Sequence, residues 1–235
     1  MKRLTLFILV LLLGAKWGTS QNITNKQFAL IKYECQISDE FRKDLKPLKK
    51  FIKKAEIRTK HQKDKLQAIM VHHLYYHLKD RFQRELDIDI IPRNTFTGDV
   101  KYNDYGYPKA RISKAMRIGS APFYFKVHIK FESKTEERIK NDPKLKKAKG
   151  DIFFPHIITE VTIWNDEGII PVAKWKNEKI TYKPMQVNKR LFRGLIEEDQ
   201  LPPKPELEEG ETEQASLFQL YDETLSDMIS SFLED

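Results

Sequence analysis

The run His72-His73-Leu74-Tyr75-Tyr76-His77 is the densest group of chemically capable side chains in the sequence. On a helix His73 and His77 fall four residues apart on one face, a spacing that lets two imidazoles share one metal ion, zinc first. Two imidazoles make half of a tetrahedral site, and a third ligand would have to come from His61, His128, His156 or an acid. Leu74 stands directly after the first histidine, where the H-E-x-x-H helix of a metalloprotease carries its glutamate base. Both histidines also flank an apolar stripe, where half-buried imidazoles pack and hydrogen-bond, and on that reading the protein holds no cofactor.

Three further groups invite a chemical reading. Tyr102, Tyr105 and Tyr107 sit among Asn103, Asp104 and Gly106 in a polar loop, and their rings and hydroxyls suit recognition of protein or sugar. The alternative is that the rings fold back on the domain. Lys49, Lys50 and Lys53 belong to a basic stretch over residues 42–65, which would steer acidic partners or simply form a solvated helix face. Asp87 and Asp89 alternate on one face of an expected strand; a cation would fit between them, although solvent-facing alternation explains them better. No G-x-S-x-G elbow and no glycine-rich phosphate loop is present, and Cys35 has no identifiable histidine and orienting partner. A hydrolase assembled from scattered residues is neither indicated nor excluded.

The elements that must position these groups are read from periodicity. Residues 28–37 alternate, with Ala29, Ile31, Tyr33, Cys35 and Ile37 on one face and Lys32, Glu34 and Gln36 on the other, which predicts a half-buried strand. A lysine-rich connection around Pro47 has room for a short helix. The stripe Leu66, Met70, Leu74, Leu78, Phe82 and Leu86, widened by Ile69, predicts a long helix over residues 56–86. A second strand over 86–90, a loop over 93–108 and a short helix over 109–118 follow. Gly119 is expected to stop that helix in the left-handed conformation.

Residues 123–131 alternate most cleanly of all, and residues 134–150 read as a long exposed connection. Residues 157–164 and 169–175 form a predicted hairpin around Asn165-Asp166-Glu167-Gly168, with Gly168 at positive φ and Pro171 placing the second strand at an edge or bulge. Residues 201–213, with three prolines and five glutamates, predict an acidic extended linker. An amphipathic helix closes the chain over 214–235 and would dock in its own domain or in a partner's groove.

Lys2 and Arg3, the apolar run over residues 6–13 and the small residues ending at Ser20 have the form of a secretory signal peptide. The apolar run is well short of the roughly 20 residues a membrane span needs. Cleavage after Ser20 would make residues 21–200 an α/β domain that is soluble, exported and without a transmembrane anchor. The net charge of +8 loses Lys2, Arg3 and Lys16 with the signal, leaving +5. Export leaves little nucleic acid for that charge to meet, so none is expected as a partner. The single cysteine cannot form an intramolecular disulfide and is expected as a buried thiol on a strand. Asn22-Ile23-Thr24 matches a glycosylation sequon, with occupancy not expected in a bacterial envelope.

The passage Ala115-Met116-Arg117-Ile118-Gly119-Ser120-Ala121 into Phe123-Tyr124-Phe125, the segment Ile163-Trp164-Asn165-Asp166-Glu167-Gly168 and the opening Phe28-Ala29-Leu30-Ile31 carry a resemblance at the level of element order. The chain resembles the small α/β domain of exported envelope proteins: the N-terminal domain of the Tol-system β-propeller protein, the periplasmic domain of the curli secretion channel, and the outer-membrane activators of penicillin-binding proteins. It departs from them in lacking a lipid-bearing cysteine and in carrying the basic insertion and the acidic linker.

The expected fold is thus α/β (α+β), with a mixed sheet of about five strands covered by a long helix, a short helix and a C-terminal helix. The resemblance implies a periplasmic, non-enzymatic module that contacts an envelope protein. A metal- or small-ligand-binding protein using His73 and His77 is the alternative.

Overall fold

The computed structural model describes residues 23–56, 64–92, 96, 100–203 and 214–234. The expected signal peptide, Asn22, His61 and the linker from residue 204 to 213 lie outside the described residues. The described chain runs β1 (Lys26–Ile37), α1 (Asp39–Asp44), α2 (Lys49–Lys54), α3 (Lys65–Leu86), β2 (Ile88–Ile90), β3 (Lys101–Tyr102), β4 (Pro108–Lys109) and α4 (Ile112–Ile118). It continues through β5 (Phe123–Ser133), α5 (Thr135–Asn141), β6 (Ile152–Phe153), β7 (Pro155–Asn165), β8 (Ala173–Ile180), β9 (Met185–Gln186) and α6 (Leu217–Glu234).

The fold is α/β, built on a mixed seven-stranded sheet in the order β3-β4-β1-β5-β7-β8, with β2 paired to β1 beside β4. β1 lies parallel to β2 and β5, while β5, β7 and β8 form an antiparallel meander. The sheet exceeds the expected five strands because the two-residue β3 and β4 arise within the polar loop, too short to show a period. β6 and β9 pair separately.

The α3 stripe behaves as its spacing requires: Leu66, Ile69, Met70, Leu74, Leu78, Phe82 and Leu86 are all buried. They pack against Phe28, Leu30, Tyr33, Phe125, Val127 and Ile129 of the sheet. The side chain of Asp64 caps the helix by accepting from Gln67 N at 3.1 Å. At the other end Asp87 adopts the left-handed conformation, φ 51°, and belongs to the helix cap. That corrects the paired-carboxylate reading, since Asp89 alone lies on the strand, where Gln27 donates to it.

α6 docks in its own domain, burying Leu217, Leu220, Tyr221, Leu225, Met228 and Ile229. The ring of Phe232 stacks on Trp175 of β8, and Thr159 and Thr224 share a buried hydroxyl hydrogen bond of 2.9 Å. No helix among the described residues is long and apolar enough to cross a membrane.

Four local expectations are corrected. The β1–β5 register slips between Leu30 and Lys32, a bulge that re-aims the strand. Ala29 and Ile31 therefore face a smaller core under α4, while Phe28, Leu30, Tyr33 and Cys35 face α3. Gly119 ends α4 in extended conformation, φ −98°, and its glycine is required by space: a Cβ there would meet Ala115 O at 2.9 Å and the Tyr124 hydroxyl at 3.0 Å. Residues 134–150 hold α5, anchored by buried Thr135 and Ile139 four residues apart, and a 3-10 turn. Gly168 has no positive φ; the turn is braced by Asn165, whose Oδ1 accepts from Glu167 N at 3.3 Å. β8 does form a sheet edge, beginning after Pro171.

Leu74 is fully buried beneath α6 and over the sheet. Leu74→Ala should lower the unfolding free energy by about 2–5 kcal/mol in urea titration, whereas Ile170→Ala, at a site 78 % exposed, should leave it within about 0.5 kcal/mol.

Candidate functional site

Between residues 41 and 55 the apolar positions Phe41, Leu45, Leu48, Ile52 and Ala55 recur at intervals of four and three, and all are buried. That spacing seats α1, the 3-10 turn over residues 46–48 and α2 as one arm against the core and turns the lysines outward. A groove of about 730 Å³ runs between the arm and the start of α3, with Leu45, Ile52 and Leu66 among its lining. Its basic residues include Arg42, Lys46, Lys49 and Lys53. Arg42 is held by Asp64 at 2.8 Å and by Gln67 at 3.2 Å. Lys43 pairs with Glu136 at 2.6 Å; their mutual hydrogen bond raises the lysine pKa and lowers that of the glutamate. Lys46, Lys49 and Lys53 have no ion pair among the described residues.

Of the three lysines singled out in the sequence, Lys49 and Lys53 line this groove, and Lys50 is exposed outside it. Lys46 and Arg42 were missed, although the alternating four-three spacing of the apolar residues between 41 and 55 carries the signal that places them.

The tyrosine loop divides. Tyr107 is buried, its ring 4.7 Å from Tyr33 and 4.8 Å from Tyr75, so it is a core residue and no part of an interaction surface. The reason lies in Asn103, whose Oδ1 accepts from the backbone of Tyr105 and Tyr107, each at 3.0 Å, and curls the loop inward. Tyr102 and Tyr105 stay at the surface and, with Tyr76 and Lys79, line a groove of about 540 Å³. The Tyr102 hydroxyl donates to Phe96 O at 3.1 Å.

His73 and His77 meet different neighbours. His77 Nε2 lies 2.6 Å from Asp222 Oδ1 on α6, and its ring centroid is 4.4 Å from that of Phe218. Asp222 also pairs with Arg81, which pairs in turn with Glu85 and donates to the Ser226 hydroxyl at 3.1 Å. The imidazole of His77 thus belongs to a polar latch between α3 and α6. His73 sits beside His72, and burial lowers its pKa, reinforced by His72 and opposed by Glu197. No group of three or more His, Cys, Asp or Glu side chains suited to a metal ion occurs among the described residues. Cys35 is a buried free thiol with its pKa raised by burial.

The sheet face turned away from α3 carries two more histidines. His128 stands in register between Glu34 and Glu160, its pKa lowered chiefly by burial and by Lys130. His156 is buried, 3.3 Å from both Glu132 and Glu178. A scan against protein-family models finds no match to the chain, and a search of the curated proteins finds none either.

Asp222→Ala removes the shared partner of His77 and Arg81, and should cost about 1–3 kcal/mol of stability and speed proteolysis of the C-terminal helix. Because the folded state depresses the pKa of His73 and His128, their contribution is intact above the unfolded imidazole value of about 6.5 and is lost as pH falls from there toward the folded values. Urea midpoints between pH 7.5 and pH 5.5 should therefore fall less in a His73→Gln/His128→Gln protein than in the parent.

Proposed function

We propose that the protein is an exported, non-enzymatic module making protein-protein contacts in the bacterial cell envelope, with the basic groove along α1 and α2 receiving an acidic partner. The observation that carries this reading is the set of three lysines with no ion pair among the described residues, Lys46, Lys49 and Lys53, ranged over an apolar floor. Such an arrangement steers an acidic chain from a distance through charge and holds it by burying its apolar side chains. The signal-like N-terminus supports export. The order strand, long helix, strand, short helix, three antiparallel strands and closing helix supports kinship with envelope contact domains. Tyr102 and Tyr105 offer a second, tyrosine-lined contact surface on the same molecule.

In-cell cross-linking of the tagged protein, followed by mass spectrometry, tests the reading. A dominant envelope protein should be captured by the parent, and a protein carrying Lys46→Glu, Lys49→Glu and Lys53→Glu should lose that capture about tenfold or more while keeping its melting temperature. Undiminished capture would remove the groove from recognition. Absence of any reproducible envelope partner would remove the contact function itself.

A further inference from the structure

β8 closes one side of the sheet, and no strand pairs with its outer edge among the described residues. In an antiparallel ladder alternate residues turn both N–H and C=O toward the partner. The bond from Thr181 N to Pro155 O, 3.2 Å, and the unbroken β7–β8 register give that direction to the odd-numbered residues. Lys174, Lys176 and Glu178 consequently turn their backbone groups to the free edge. Among the described residues the Glu178 N–H finds only the adjacent Asn177 Oδ1, at 2.7 Å. Trp175, Asn177 and Lys179 point the other way and touch α6, through Phe232, Thr224 and Glu223. The side chains of Lys174, Lys176 and Glu178 are exposed on the opposite face.

An edge of this length with no paired strand among the described residues is a template for another strand. A second copy of the chain offers the same edge, and a two-fold axis pairs the two antiparallel. Even-numbered residues must meet even-numbered ones, because only these carry free backbone groups, so the axis has to fall on a residue. Placed on Lys176 or Glu178, it sets that charge against itself; placed on Trp175, it sets Lys174 against Lys176. Placed on Asn177, it sets Lys176 of each copy against Glu178 of the other and leaves no like charges opposed. Lys176 has no ion pair among the described residues. The same axis carries Val172, 37 % exposed, toward Tyr182 of the second copy, 78 % exposed, and so covers apolar side chains at both ends of the strand.

We propose that the chain forms an antiparallel homodimer edge to edge through β8, with its two-fold axis at Asn177. On pairing, the Glu178 N–H exchanges the Asn177 side chain for a backbone carbonyl of the second copy. The lysines reject registers that oppose like charges, which makes the edge selective for this pairing.

Sedimentation velocity on the purified protein tests the proposal, with circular dichroism confirming that each variant is folded. A reversible monomer–dimer equilibrium is expected. Lys176→Glu or Glu178→Lys alone places like charges opposite each other at two symmetric positions and should weaken the dimer about tenfold. The protein carrying both changes regains the complementary pairs and should recover the parent affinity. A protein that stays monomeric up to about 0.5 mM overturns the proposal. So does a dimer that ignores both single changes, or one that is weakened by them and not restored by the pair.

Discussion

The apolar stripe of α3 is enclosed on two sides, by the sheet face of β1 and β5 and by α6, and this burial places the other features of the molecule. Each fully buried Leu or Phe along it contributes about 1.5–3 kcal/mol relative to exposure. A helix held on two sides presents its remaining surface in a fixed direction. Its first turn becomes one wall of the basic groove, and its middle carries Tyr75 to the buried tyrosines Tyr33 and Tyr107. Its last turns carry His77 and Arg81 to Asp222.

Polar groups lie where these apolar layers meet. The hydroxyls of Thr159 and Thr224 satisfy each other between sheet and helix, and the Tyr221 hydroxyl donates toward Leu74 O at 3.4 Å. The cluster around Asp222 does the same at the rim, where Arg81 is nearly enclosed and the carboxylate stays partly solvated. The contacts of Asp222 and Tyr221 join α6 to α3, more than 130 residues earlier in the chain, and that of Thr224 joins it to β7. They fix the helix in one orientation, which apolar packing alone leaves loosely specified.

Much of the architecture was legible because periodicity reports burial directly. β5 and α3 each bury one continuous set of side chains, so a period of two or of about 3.6 survives in the sequence. Where that continuity breaks, so does the reading. The bulge in β1 moves Ala29 and Ile31 to the opposite face from Tyr33 and Cys35, and nothing in a run of alternating residues announces a slip of one. α5 rests on two buried positions, too few to raise a signal above its charges. Gly119 was recognised as a helix stop, but its need for glycine comes from the close approach of Ala115 O and of the Phe96 and Tyr124 side chains.

The candidate sites divide on the same ground. The sequence by itself determined the order of the principal strands and helices, the buried face of α3, the outward lysines of α1 and α2 and the polar tyrosine loop, because each follows from short-range spacing. Tertiary structure alone decided that Tyr107 turns into the core while Tyr102 and Tyr105 stay outside. It alone gave His77 to Asp222, and left the outer edge of β8 without a paired strand among the described residues. The physical reason is that spacing along a chain records which side of an element is dry. The identity of the group that meets a side chain across a layer is set by elements distant in sequence, and leaves no period to read.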